Sequence, residues 1–229
     1  MITTMPVSGN GSRFIYPVVV PTDIYGFIEV RHPSADEDGY EGEPWLTSMS
    51  LYPLHDGSDY VAFGCLFGIR NWLGWPPVAA GRGLPADVSE RVRADYEGCA
   101  RSDAAVHGCT WVSWSQLRDL DMSARPAARG MLEVRSGPTS MPHTIRRYRI
   151  DDRWPDEVVE QYGTPPLDVS PTVVPAGRWQ VAGATLEYGP VTRLHALGPG
   201  TGWEHVFSVM RALAERFGDD GVRLVVWFD

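Results

Sequence analysis

The chain has 229 residues, 43% hydrophobic and 21% charged, with a formal net charge of −9. That length suits one large or two small folded domains and excludes wholesale disorder, while the acidic balance argues against non-specific binding to nucleic acid or to an anionic membrane. All 20 basic residues are arginine. This excludes chemistry that needs a lysine Schiff base or a phosphate-binding lysine, and leaves anion binding to guanidinium forks and backbone N–H groups.

Three cysteines (Cys65, Cys99 and Cys109) are too few and too odd in number for a secreted disulfide framework, which favours a reducing cytoplasm. The early apolar run FIYPVVVP is too short and proline-broken for a signal core or a membrane span. The 24 glycines and 19 prolines predict many short elements joined by turns.

Met1 to Ser12 reads as a loose start. Arg13–Val20 and Asp23–Arg31 are β-rich and could pair as a hairpin across Pro21-Thr22. In the second run Ile24, Ile28 and Val30 share one face and Asp23, Tyr25, Phe27 and Glu29 the other, as in a central strand. An acidic loop to Glu43 precedes a third strand candidate, Trp45–Leu54. Asp59 caps a helix through Ile69 that is apolar all round and therefore buried, with Gly64 and Gly68 allowing close approach.

After a Trp/Pro-rich loop from Arg70 to Pro85, Asp87 and Glu90 form a capping-box pattern for a helix whose buried stripe is Val88, Val92 and Tyr96. Ser113 and Gln116 repeat that pattern for a short helix over Trp114–Leu120. Strands are expected at Met131–Arg135 and His143–Ile150, then a Pro-rich irregular excursion over Asp151–Gly177 with a short helix at Pro155–Tyr162. Arg178–Tyr188 and Val191–Leu197 read as a second hairpin. Thr201 and Glu204 mark a third capping box, opening a helix that Gly218 ends. Val222–Phe228, apolar on both faces, is a second central strand. The sum is a single α+β domain, with a mostly antiparallel or mixed sheet and about four helices packed on it.

Candidate chemistry gathers between Arg70 and Trp111. Arg70, Asn71 and Arg82 sit among tryptophans, an arrangement suited to a planar anion held by fork hydrogen bonds and stacking. Capping of a helix end is the alternative for Arg70 and Asn71. Imidazole is a common general acid/base, a role open to His107, with Asp23 orienting it and Tyr25 beside it, provided the two strands meet. A zinc site from Cys99, His107 and Cys109 matches no established spacing.

Gly198, Gly200 and Gly202 before a helix, with Asp229 ending the next strand, outline a phosphate-binding turn, although the chain ends where a doubly wound sheet would continue. The segment RRYRIDDRW is basic and aromatic, but its two aspartates favour a solvated strand over a nucleic-acid surface. No GxSxG elbow, Walker A, HExxH or paired CxxC occurs.

Four stretches, TDIYGFIEVR, DYVAFGCLFGIRN, RGLP followed by DVS, and HGCTW leading into WSQL, together with the ending VRLVVWFD, resemble a protein family of actinobacteria and their phages. The resemblance spans the first half of the chain and the last strand. It implies positions and no reaction. The family pattern has Asp-Ile-His where this chain has Asp23-Ile24-Tyr25, and His-Ser-x-Ser-Trp where it has His107 to Trp111.

The expected function is a pocket that binds or sequesters an anionic, nucleotide-like molecule through Tyr25, Arg70, Asn71, Arg82 and Trp111, without a cofactor or metal. The alternatives are an enzyme on such a ligand, using His107 and Asp23, or an accessory or phage interaction module with the Trp-rich loop as its interface.

Overall fold

In the computed structural model, which describes residues 22–128, 130–136, 144–149, 177–181 and 184–229, the C-terminal run Val222–Phe228 is a strand buried at every position. Its two apolar faces require cover on both sides, and the fold supplies it. Strands β1 (Ile24–Arg31), β2 (Trp45–Ser50) and β3 (His107–Ser113) join this last strand in a sheet with β1 and β3 as its immediate neighbours and β2 outside β1. Every pairing in it is antiparallel.

A second antiparallel sheet is built from β4 (Met131–Ser136), β5 (Thr144–Arg149), β6 (Gly177–Val181) and β7 (Ala184–Gly189), in the order β5-β4-β7-β6. The C-terminal strand is thus β8. Five helices are described: α1 (Tyr60–Phe67), α2 (Glu90–Ser102), α3 (Trp114–Arg118), α4 (Arg193–Leu197) and α5 (Trp203–Phe217). The chain has the expected α+β class.

The first sheet is the middle of three layers. Ile24, Ile28, Leu224, Val226 and Phe228 face α1, α4 and α5, where Phe63, Phe67, Leu197, Trp203 and Met210 complete the main core. On the opposite face Val225, Trp227 and Cys109 pack against Val88, Val92 and Tyr96 of the α2 segment. Helix α1 is capped by Asp59, whose side chain accepts from Ala62 N–H, and it ends at Gly68 in the left-handed region. Gly64 allows the close approach that its lack of a side chain suggested: a Cβ there would lie 3.1 Å from the Asn71 backbone.

Several local expectations change in the folded chain. Val191–Leu197 is not a strand; α4 occupies most of it, and the hairpin is formed by β6 and β7. The reason lies at its start. His195 turns back to Thr192, its Nδ1 accepting the Thr192 N–H at 3.2 Å, and the Arg193 and Leu194 N–H groups donate to the Ala124 and Met122 carbonyls.

The strand from Trp45 stops at Ser50, because the chain turns there and both Leu54 and His55 donate to the Leu51 carbonyl. The Asp87–Glu90 capping box does not form: Ser89 is the N-cap of α2, and its N–H and that of Glu90 go to the Glu29 and Glu43 carboxylates, imported from β1 and its following loop. Carboxylates at a helix N-terminus also complement its dipole. The Ser113–Gln116 box is present as expected. The expected strand over 13–20 and the expected excursion over 151–176 lie outside the described residues. No described helix is long and apolar enough to cross a membrane.

Candidate functional site

The expected acid/base residues come to one end of the first sheet without meeting. His107 pairs with Phe228 on one side of β8, and Ile24 pairs with Phe228 on the other. Two strand spacings, about 10 Å, therefore separate the backbones that carry Asp23 and His107. Asp23 Oδ1 accepts from the Ser58 hydroxyl at 2.9 Å, and His107 Nδ1 lies 2.8 Å from the Ala105 carbonyl. A bulge between His107 and Thr110 turns the imidazole to solvent.

Asp229 organises this corner. Its carboxylate accepts the Asp23 N–H at 3.2 Å and the Tyr25 hydroxyl at 2.9 Å. That hydrogen bond to a carboxylate, with burial and the charges of Asp229 and Asp23, pushes the Tyr25 phenol up to about 12.

Arg70, Asn71 and Arg82 make their hydrogen bonds within the protein. Arg82 donates to the Val78 and Trp111 carbonyls at 3.0 and 3.1 Å and to Gln116 Oε1 at 2.7 Å, with its guanidinium 5.0 Å from the Trp111 ring centroid. Asn71 closes a turn by pairing both amide atoms with the Trp75 backbone at 2.8 Å. Arg70, at a left-handed φ of 49°, donates to Thr22 Oγ1 at 3.1 Å. The glycine turn is likewise occupied: the Gly200 and Gly202 N–H groups, which would face a phosphate, donate to the Glu204 carboxylate at 2.8 and 2.7 Å.

A buried ionic cluster lies on the α2 side of the sheet. Arg223 donates to Glu29 at 2.8 Å and to Asp87 at 2.8 Å, and its guanidinium stacks 3.8 Å from the Trp45 ring centroid. Trp45 Nε1 donates to the other Asp87 oxygen at 2.9 Å. Burial alone would raise the Asp87 carboxyl, but the Arg223 and Trp45 contacts outweigh it and hold it below the ordinary value. Each partner is satisfied within the cluster, which ties the start of α2 to β1, β2 and β8.

A cleft of about 1150 Å³ lies between the β4–β7 sheet and the loops around α1 and α4. Its sheet wall carries Glu133, Arg135, Arg178 and Glu187, in two ion pairs of 2.6 Å (Glu133–Arg135) and 3.6 Å (Arg178–Glu187). Its loop wall carries His55, Asp56, Asp59 and His195.

His55 is 7% exposed, its ring centroid lies 4.5 Å from that of Trp203 in a tilted arrangement, and its Nε2 has no hydrogen-bond partner. Burial lowers its pKa, so the imidazole is neutral near pH 7. A neutral, buried imidazole beside charged walls can donate or accept one hydrogen bond without moving a charge.

Of the expected catalytic and binding residues, Tyr25 lines a smaller groove beside α2 and none lines this cleft, although Gly200 of the glycine turn does. His55 and His195 carry no local motif beyond the Thr192–His195 turn; the Arg178–Glu187 pair comes from cross-strand register, whereas Glu133 and Arg135 pair along one strand, two residues apart. No family model, curated protein or solved structure matches the chain.

Proposed function

We propose that this chain is a small-molecule-binding protein whose ligand occupies the cleft between the second sheet and the α1–α4 loops. The observation that carries the reading is the lining of the cleft, where Asp56, Glu133, Arg135, Arg178 and Glu187 converge beside His55. A concave site with a few convergent polar groups is where ligands bind by default.

The charge of the walls refines the expected ligand. Among the described lining residues four carboxylates (Asp56, Asp59, Glu133, Glu187) stand with two guanidinium groups (Arg135, Arg178), a formal charge of −2. A purely anionic molecule fits this poorly. A zwitterion fits better, its acidic group toward Arg135 and Arg178 and its basic group toward Asp56.

The test is a thermal-shift titration of the full chain with carnitine and γ-aminobutyrate as zwitterions, and with AMP and citrate as anions. A zwitterion at a hundredfold excess over its Kd should raise Tm by roughly 5–10 °C. The exposed changes Arg178→Ala and Asp56→Asn should each weaken that response while leaving the unliganded Tm in place. No shift with either zwitterion, or a shift that survives both substitutions, refutes the reading.

A further inference from the structure

Donors and acceptors are not evenly mixed on the loop wall of the cleft. The stretch Asp56–Asp59 brings three side chains to the lining, Asp56, Ser58 and Asp59. Two are carboxylates, which only accept. The third is a hydroxyl, which in water both donates and accepts. In the folded chain Ser58 Oγ donates to Asp23 Oδ1 at 2.9 Å. A carboxylate has no proton to give back, so the single Ser58 proton is committed. What this exposed side chain leaves for a ligand is the lone pairs of its oxygen.

The same holds for the other hydroxyl of the described lining. Thr201 gives its proton to the Gly198 carbonyl at 2.8 Å, and its oxygen accepts the Trp203 N–H at 3.3 Å. Behind Ser58, the Asp23 backbone is fixed at the end of the first sheet. Its N–H donates to Asp229 Oδ1 at 3.2 Å, and the Asp229 N–H donates to the Asp23 carbonyl at 3.4 Å.

A wall of this kind distinguishes between cations of equal charge. A trimethylammonium gains charge attraction from it and no hydrogen bond. Its usual partner is a cage of aromatic rings, and the described lining holds no Phe, Tyr or Trp. A primary ammonium carries N–H donors that match an acceptor-only wall, and hydrogen bonds to a charged group are the stronger ones.

We propose that the ligand of this cleft carries a primary ammonium, which donates to Ser58 Oγ and to the Asp56 carboxylate, so that the site takes an amino acid and discriminates against the N-trimethylated betaine of the same length. The inference rests on the cleft reading above and adds to it the class of the basic group. Ser58 is a specificity-determining residue. Asp23 acts through the Ser58 proton and is a positioning residue.

The test is isothermal titration calorimetry on the full chain, comparing γ-aminobutyrate with its N,N,N-trimethyl derivative. The two have the same charge and chain length. The primary amine should bind about tenfold more tightly or better, the worth of one hydrogen bond to a charged group. Ser58→Ala removes the acceptor, whereas Asp23→Ala keeps Ser58 and releases its proton to point toward the ligand. Each should lower the ratio of affinities by about threefold or more.

Loss of the Asp23 charge acts on both cations alike, and so does a general loosening of the fold, so the ratio reads the hydrogen bond itself. Circular-dichroism melts establish that each variant is folded at the titration temperature, and Ser58→Ala carries the test if Asp23→Ala is not. Equal affinity for the two compounds, or a ratio unmoved by the substitutions, overturns the inference and leaves the cleft reading standing, since both compounds then bind. Binding of neither overturns the two together.

Discussion

Replacing Glu29 with alanine should be among the most damaging single changes in the first sheet. Glu29 is fully buried and accepts from two donors, the Ser89 N–H at 2.9 Å and Arg223 Nε at 2.8 Å. Alanine leaves both unanswered. The orphaned backbone donor costs about 1–3 kcal/mol, and breaking a buried ion pair by removing one partner costs about 3–5 kcal/mol.

The lower part of the combined range is expected, because Arg223 keeps Asp87, whose side chain is 48% exposed and can draw on solvent. The working figure is about 4 kcal/mol, equivalent to a Tm loss of roughly 8–16 °C for a chain of this size. Glu29→Gln retains an acceptor for Ser89 and should cost about half as much.

The assay is urea unfolding followed by circular dichroism, applied to Glu29→Ala, Arg223→Met and the double variant. Arg223→Met keeps apolar bulk against Trp45. The double variant should lose clearly less than the sum of the two singles, because the second change removes a charge that the first has stranded. A Glu29→Ala cost below about 1 kcal/mol, or additive singles, would refute the argument that this cluster secures α2 to the sheet.

Two further outcomes follow from the same reasoning. His55 has a pKa lowered by burial, so below the ordinary value of about 6.5 the unfolded chain binds a proton that the folded chain resists. Stability should therefore fall as pH drops from 7 through 6.5 and below, and His55→Gln should flatten that part of a Tm-against-pH curve; an identical curve for both proteins contradicts it. Arg82→Ala frees the Val78 and Trp111 carbonyls and Gln116, and should lower stability by about 1–3 kcal/mol in chemical denaturation. Ligand response at the cleft should be untouched, and loss of that response without loss of stability would restore Arg82 as a binding residue.

The local signals in this sequence determined most of its elements. Apolar runs without polar interruption, as in Val222–Phe228 and Val61–Phe67, can only be buried, and Asp59 and Ser113 cap their helices through contacts within three residues of themselves. The class of fold follows from such signals, because period and capping are properties of short stretches.

Tertiary structure decided what the polar groups do. Arg82, with its tryptophan neighbour, has the composition of an anion site, yet Trp111 and Gln116 lie 29 and 34 residues away and take its Nη1 donors. Asp87 and Glu90 have capping-box spacing, yet carboxylates from β1 and its loop reach the start of α2 and displace the local bond. Glu29 and Arg223, 194 residues apart, become partners only through the register of β1 and β8.

His55 shows the limit most plainly. In the sequence it is one isolated histidine among six; in the fold it stands in the wall of a cleft of about 1150 Å³. A hydrogen-bonding group can be identified from its residue type, but its partner is fixed by packing between elements distant in the chain, and function depends on whether that partner is already there.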